Sequence, residues 1–399
     1  EGFLFNTDTG LIDRTNGFFF VVHEQETWGT RLDALFDSEV LGRANRFVAG
    51  IDYQDIDFER RRGFRSSPVP GDSVNVFNPV RGVFGPVESR GVSPTAIDTL
   101  GIFAEDSLRL TDRITFMAGL RYERLDLLRQ NFDLRPGQAG QDEGTGFTRT
   151  FKNVGFRIGG TYAVSPRTNL YAQYSNAQDP ANANIFLIDA NEDFELTDAE
   201  QFEIGLKAQD VGGIANLDFT AAVFHIERDD VSQVIARDSA VNVGGRESRG
   251  VELAFSFAPS TALDLGANFS YVDAEFKDSV NFITFSGNTP PNVPEVTANA
   301  WVNHRPLRGI PLTLGASLRH VGERFGTNDN TIRLNDYTLL GLSARYAWRN
   351  MSVTARLNNV TDEDYVEWAD VFYLAQPDFA NQVFLGAPRN GEIILEFRF

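Results

Sequence analysis

The chain has 399 residues, 55 of them acidic and 36 basic, for a formal net charge of −19. That balance excludes a nucleic-acid backbone as partner, because binding one takes a basic face. The absence of cysteine excludes disulfides, thiolate-bound zinc and a cysteine nucleophile.

No stretch of about 18 consecutive apolar residues is present, so no membrane-crossing helix is predicted. The longest fully apolar run is Phe18–Val22. The first residues, EGFLFNTDTG, lack the basic lead and long apolar core of a signal peptide. The expectation is a chain that begins mature or in mid-protein.

Taken in chain order, period-two alternation and turn residues predict strands over 17–37, 45–59, 98–110, 114–128, 151–164, 167–176, 198–210 and 215–228. They continue over 246–258, 262–275, 296–305, 311–322, 335–348, 351–360 and 388–399. Within 262–275, Leu263, Leu265, Ala267, Phe269 and Tyr271 alternate with Asp264, Gly266, Asn268 and Ser270. The last strand sets Ile393, Leu395, Phe397 and Phe399 against Glu392, Glu396 and Arg398.

The connections are of two kinds. TDR (111–113), SP (165–166), VGGI (211–214), PST (259–261) and RN (349–350) are tight turns. Segments 60–97, 129–150, 177–197, 229–245, 276–295, 323–334 and 361–387 are long and polar. Short and long gaps alternate, so an antiparallel arrangement puts every tight turn at one end and every long loop at the other. Outer-membrane barrels have this asymmetry, and soluble sandwiches seldom need it. The predicted strands also reach the roughly 9–11 residues that a tilted strand needs to cross hydrocarbon.

The expected fold is therefore all-β, a transmembrane antiparallel β-barrel of about 15–16 strands, with short periplasmic turns and long extracellular loops. The apolar parity should face lipid and the polar parity the lumen. Tyr122, Tyr162, Tyr171, Tyr174, Tyr271, Trp301, Tyr337, Tyr346 and Trp348 stand near strand ends, where interface girdles would be. Fifteen is an odd count, and a barrel must close. Either a strand lies near residues 1–7, or the chain is the C-terminal part of a larger barrel.

Nine segments in order resemble TonB-dependent outer-membrane receptors, most closely the ferric-siderophore (ferrichrome-type) branch. They are FVAGIDYQ (47–54), GIFAEDSLRLTDRITFMAGLRYER (101–124), NLYAQYSNAQDP (169–180), EQFEIGLKA (200–208), GGRESRGVELAFS (244–256), YVDAEF (271–276), GNTPPNVPEVTANAWVNH (287–304), LNNVTDEDY (357–365) and GAPRNGEIILEFRF (386–399). The resemblance implies import of a ferric siderophore as transported ligand, with no cofactor, through a 22-stranded barrel around an N-terminal plug. On that expectation residues 1–399 are the C-terminal part of the barrel domain, and the plug and about seven strands are absent. The implied partners are the TonB complex, reached through the missing N-terminal part, and outer-membrane lipid and lipopolysaccharide. The closing aromatics Phe397 and Phe399 would be the family's barrel-assembly signal. Where the family often has Phe before x-Pro, this chain has Gln178, so an aromatic ligand contact cannot be carried over there.

Two residue clusters are candidate ligand contacts. Trp368, Phe372, Tyr373, Phe379 and Phe384 in loop 361–387 could cap a chelate, or form a local loop core. Arg60, Arg61, Arg62, Phe64 and Arg65 make a basic knot at the start of loop 60–97. It suits an anionic chelate or lipopolysaccharide phosphates, or it pairs with loop acids. Asp179, Asn182, Asn184, Asp189, Asn191, Glu192 and Asp193 form an oxygen-rich loop without EF-hand spacing, which reads as solvated. His23, His225, His304 and His320 are scattered at no metal-binding spacing. No catalytic motif is found, and no enzyme is expected. The alternatives are a general diffusion porin of 16 strands, an outer-membrane enzyme and a soluble β protein.

Overall fold

The computed structural model describes residues 3–6, 9–14, 19–64, 74–75, 77–78, 89–134, 145–179, 196–229, 232–236, 239–242, 244–277, 285–370 and 382–398. Fifteen strands form one antiparallel sheet in sequence order. They are β1 (Phe19–Val40), β2 (Arg43–Phe64), β3 (Ser89–Arg109), β4 (Ile114–Asp133), β5 (Thr145–Ser165), β6 (Thr168–Asp179), β7 (Thr197–Ala208) and β8 (Leu217–Arg228). The rest are β9 (Arg246–Ser260), β10 (Leu263–Phe276), β11 (Val296–His304), β12 (Leu312–Val321), β13 (Tyr337–Trp348), β14 (Met351–Asn358) and β15 (Asn390–Phe397). Every predicted strand is present, and the tight turns all fall at one end.

At the turn between β1 and β2, Leu41 (φ 54) and Gly42 (φ 72) both take the left-handed conformation. That matches a two-residue turn whose twist agrees with the flanking strands.

Register fixes two faces. Leu32, Ile51, Ile102, Tyr122 and Val154 are successive partners across β1 to β5 and share one face. Ile204, Val223 and Val251 continue it across β7 to β9, and Val353 and Leu395 carry it to β15. These side chains are open to the surroundings: Leu32 is 73% exposed, Val223 57% and Ile393 75%. Among the described residues no helix or second sheet covers them. A broad uncovered apolar belt is unstable in water and stable in hydrocarbon.

The core is correspondingly small. Among the described residues Leu125, Leu127 and Leu196 form a buried cluster, with Ile97, Phe147 and Phe151 against them, and other buried apolar residues such as Phe276, Val321 and Tyr337 lie outside it. This cluster lies on the polar-parity face, beyond the belt on the loop side.

Four findings correct the sequence reading. Strands outrun their predicted ends on the loop side: β2 has 22 residues, β3 21 and β5 21, about twice what hydrocarbon requires. Beyond the belt the outward face turns polar while the lumen face carries apolar residues such as Leu125 and Leu127, so hydropathy no longer marks the strands by the same alternation. The long loops also hold short paired strands, at Ser232–Ala236 with Ser239–Asn242, Arg324–Phe325 with Arg333–Leu334, and Val366–Asp370 with Gln382–Leu385. Near the start, Phe3–Asn6 is a strand, but it pairs with Leu11–Arg14, which in turn pairs with Val74–Asn75, in a separate small sheet. Three of the expected girdle aromatics, Tyr171, Trp301 and Tyr337, lie on the polar parity. Tyr171 donates to Glu203 at 2.6 Å, the Trp301 ring lies over Gly266, and Tyr337 is buried under loop residues.

Candidate functional site

Within the belt the polar face is a lattice of ion pairs. Arg121 donates two bonds to Asp52 at 2.7 and 2.8 Å and two to Glu123 at 2.7 and 3.0 Å. Arg157 pairs with Glu105. Arg345 reaches Glu396 at 2.9 Å, and Arg356 reaches Glu392 at 3.1 Å. The terminal strand thus turns Glu392 and Glu396 toward this lattice and Ile393, Leu395 and Phe397 away from it, as its alternation predicted. Strand alternation gives each pair its partner, and half exposure leaves it hydrated. A cleft of about 520 Å³ opens among Arg31, Phe103, Glu105, Arg121 and Arg157.

Beyond the belt the strands continue as a wall whose two sides differ in charge. Arg60 and Arg62 alternate with Arg61 along β2, so the basic knot is on a strand, not in a loop, and it is split. Arg60 and Arg62 share the face of Asp52; Arg61 shares the other face with Glu59, which it holds at 2.6 Å. Phe64 ends β2 opposite Phe19, its side chain outside the described residues together with Arg65. Gln178 sits on β6 in register with Asp198, to which its amide donates at 2.7 Å. Its parity is that of the apolar belt, although it also touches the rim of the cleft.

Three loops lock into one layer at the loop end. Asn292 donates to the carbonyl of Ala369 and accepts from its N–H, both at 2.9 Å. Asn330 accepts from the Thr289 N–H at 2.9 Å and donates to its carbonyl at 2.8 Å. Asn359 accepts from Glu363 N–H and donates to the carbonyls of Glu363 and Ala387. All three have φ between 47° and 61°. Asparagine tolerates that conformation, and its amide can stand in for a backbone partner. Buried Arg324 donates to the carbonyls of Val366 and Glu367 over the Tyr337 ring, and burial pushes its pKa down. Tyr365 stacks on Tyr337 with centroids 4.3 Å apart and lies against Gly386.

This layer carries two of the predicted aromatics. Trp368 and Phe384 are cross-strand partners in the hairpin, 51% and 54% exposed. Phe372, Tyr373 and Phe379 lie outside the described residues, as do Phe399 and the oxygen-rich loop apart from the backbone of Asp179.

The histidines separate. His23 is on the polar face beside Phe58, His304 is at a turn and His320 meets Thr338. The sequence reading found no metal spacing, yet register brings His225 between Glu227 at 3.1 Å and Glu247 at 3.5 Å. Lys277 already reaches Glu227 at 3.0 Å there. Sequence reasoning missed Arg129, Arg149, Arg228 and Arg246 on the polar side of the wall. The local signal was weak, since apolar residues share their parity: Leu125 and Leu127 precede Arg129, Phe147 and Phe151 flank Arg149, and Phe224 and Ile226 precede Arg228.

Residues 2–360 match the family described as TonB dependent receptor-like, beta-barrel. The chain belongs to that family. The sheet is accordingly a transmembrane barrel wall of an outer-membrane protein, with its polar face toward the lumen. The chain is 28% identical over 348 residues to the ferrioxamine B receptor of Salmonella typhimurium (strain SL1344), covering 84% of this chain and 46% of that one. It is 26% identical over 282 residues to the ferrichrome outer membrane transporter/phage receptor of Escherichia coli (strain K12), covering 67% and 34%. It thus spans about half the length, or less, of these relatives. Among solved structures, the siderophore receptor PiuA from Acinetobacter baumannii superposes with a TM-score of 0.78 at 19% identity, over 97% of this chain and 57% of that one. The ferric yersiniabactin uptake receptor FyuA from Yersinia pestis gives 0.75 at 18%, over 98% and 56%.

Proposed function

We propose that this chain is the C-terminal part of the barrel of a TonB-dependent receptor that imports a ferric siderophore across the outer membrane. The single observation carrying the proposal is the wall. Its lumen face continues from the lipid belt, past a small apolar cluster around Leu125 and Leu127, into a tall loop-side extension topped by a braced aromatic layer, in the fold of siderophore receptors. A passive pore has no need of such an upper chamber, and neither the porin nor the enzyme reading gains a supporting observation.

Sheet geometry supports the partial-barrel assignment. β1 and β15 both run from the loop end to the turn end, so pairing them directly would be parallel. Antiparallel closure in lipid takes an odd number of further strands. Seven more would give the 22 of plugged transporters. Coupling to TonB would run through a plug domain outside this chain. Above the belt, the charged outward face would sit among lipopolysaccharide phosphates and their bridging cations.

The test uses the complete receptor in an outer membrane lacking its other siderophore receptors, with ferric siderophores as sole iron sources. Growth that requires both the receptor and TonB is expected. Growth independent of TonB, with a constant open conductance, would overturn the proposal in favour of a pore.

A further inference from the structure

Along the loop-ward ends of β2, β4, β5, β8 and β9, the lumen face carries Arg60, Arg62, Arg129, Arg149, Arg228 and Arg246. Among the described side chains there, Asp133 is the one acid on that face. The outward face of the same strands and of β1 and β7 is acidic, with Glu26, Asp57, Glu59, Asp126, Glu200 and Glu247 among its members. In a chain with 55 acids and 36 bases the lumen face of the wall is thus basic, while the outward-facing Arg61, Arg124 and Arg249 are each paired with an acid, Glu59, Asp126 and Asp273. A random distribution would have put acids in excess on both.

Two placements sharpen this. Arg228 and Arg246 are register partners on β8 and β9. Like charges directly opposed across strands destabilise a sheet. Arg246 also stacks at 5.0 Å over the ring of Phe276, which is 1% exposed, so the cation is held in position. Burial, and then the Arg228 charge, push the Arg246 guanidinium below its ordinary pKa. These guanidiniums have neighbours of their own, so their common sign and common face carry the argument.

We infer that the upper chamber selects ferric chelates of net negative charge, with the Arg228–Arg246 pair and Arg60 and Arg62 as the anion-attracting wall. This rests on the import reading above. A concave, low-dielectric chamber lined by one sign of charge concentrates counter-ions and speeds their capture. Guanidiniums suit it because their planar donor forks match carboxylate and catecholate oxygens.

The experiment measures equilibrium binding to the complete receptor in detergent. The probes are a trianionic ferric tricatecholate, an anionic ferric carboxylate chelate and a neutral ferric trihydroxamate, each at low and high salt. An anionic chelate should bind roughly tenfold or more tightly than the neutral one, and added salt should weaken it. Arg228→Gln with Arg246→Gln should cut anionic binding roughly tenfold and flatten the salt dependence, without lowering thermal stability, since it removes a like-charge contact. If the neutral chelate binds as well as the anionic ones, with no salt dependence, the charge inference fails while the import reading stands. If no ferric chelate of any charge binds, both fail.

Discussion

Arg228 and Arg246 face each other across neighbouring strands on the lumen side, two cations in register where the chain rises above the membrane belt. A few residues down the same two strands, Val223 and Val251 face each other on the opposite side, apolar and uncovered. One pair of strands therefore shows both halves of the design: a greasy exterior in the bilayer and a basic interior above it. Each half makes demands that substitutions can probe.

Val223 is placed in the belt, flanked by Ile204 and Val251. Val223→Arg should cost about 2–4 kcal/mol, the range for a cation on the lipid face near the midplane. Ala222→Arg, one residue along and pointing into the lumen, should cost far less. Denaturant titration of the complete barrel in lipid vesicles measures both. Equal costs would contradict the face assignment.

Gly101 lies beneath the Arg121–Asp52 ion pair. A Cβ there would stand 2.2 Å from Arg121 Nη2 and 2.6 Å from Asp52 Oδ1. Gly101→Val should split the pair and destabilise the barrel by roughly 1–3 kcal/mol, the cost of leaving charged groups poorly partnered. The check is the thermal transition in detergent, with Asp52→Asn as background. If the split pair is the cause, most of the Gly101→Val effect should vanish in that background.

Asn292 pins the aromatic hairpin to the loop layer through two bonds to Ala369, and its φ of 61° suits asparagine better than alanine. Asn292→Ala should release the hairpin at a cost of about 1–2 kcal/mol locally. Hydrogen exchange at the Ala369 amide should rise by one to two orders of magnitude while the strands keep their protection. Unchanged exchange at Ala369 would show that the hairpin is held by other contacts.

His23 on β1 lies opposite Arg60. Burial, and then the Arg60 charge, push its pKa below the ordinary 6.5. The fold thus prefers the neutral ring, and the unfolded chain takes up the proton first. Stability from this site is undiminished above about pH 6.5 and falls as pH drops toward the lower folded-state value. After correction for the slower intrinsic exchange at low pH, amides at the loop-ward ends of β1 and β2 should show smaller protection factors near pH 5 than near pH 7.5, and His23→Gln should remove the difference. A difference that survives the substitution would place the titration elsewhere.

The fold was legible wherever lipid imposes alternation. All fifteen sheet strands and the sidedness of the loops follow from period two and gap lengths, because hydrocarbon demands an apolar residue at every second position. Legibility stops where the lipid stops. From Glu59 to Gly63 both parities of β2 lack apolar side chains, so Arg60–Arg62 read as a loop although they continue a strand. Trp301 read as a girdle residue because alternation was judged by residue type, whereas its register partner Gly266 shows that it faces the lumen. The loop clamps at Asn292, Asn330 and Asn359 join segments up to 77 residues apart, and no local pattern announces them.

The central claim is that alternate residues of each strand meet acyl chains and lumen water. With no cysteine in these 399 residues, and any elsewhere in the complete barrel replaced by serine, single spin labels can be set at Gly205, Ile204, Ala222, Val223, Glu252 and Leu253 in vesicles. Oxygen, which partitions into hydrocarbon, should relax the labels at Ile204, Val223 and Leu253, and a water-soluble nickel complex those at Gly205, Ala222 and Glu252. A profile without that two-residue period, or nickel access at all six positions, would contradict the account.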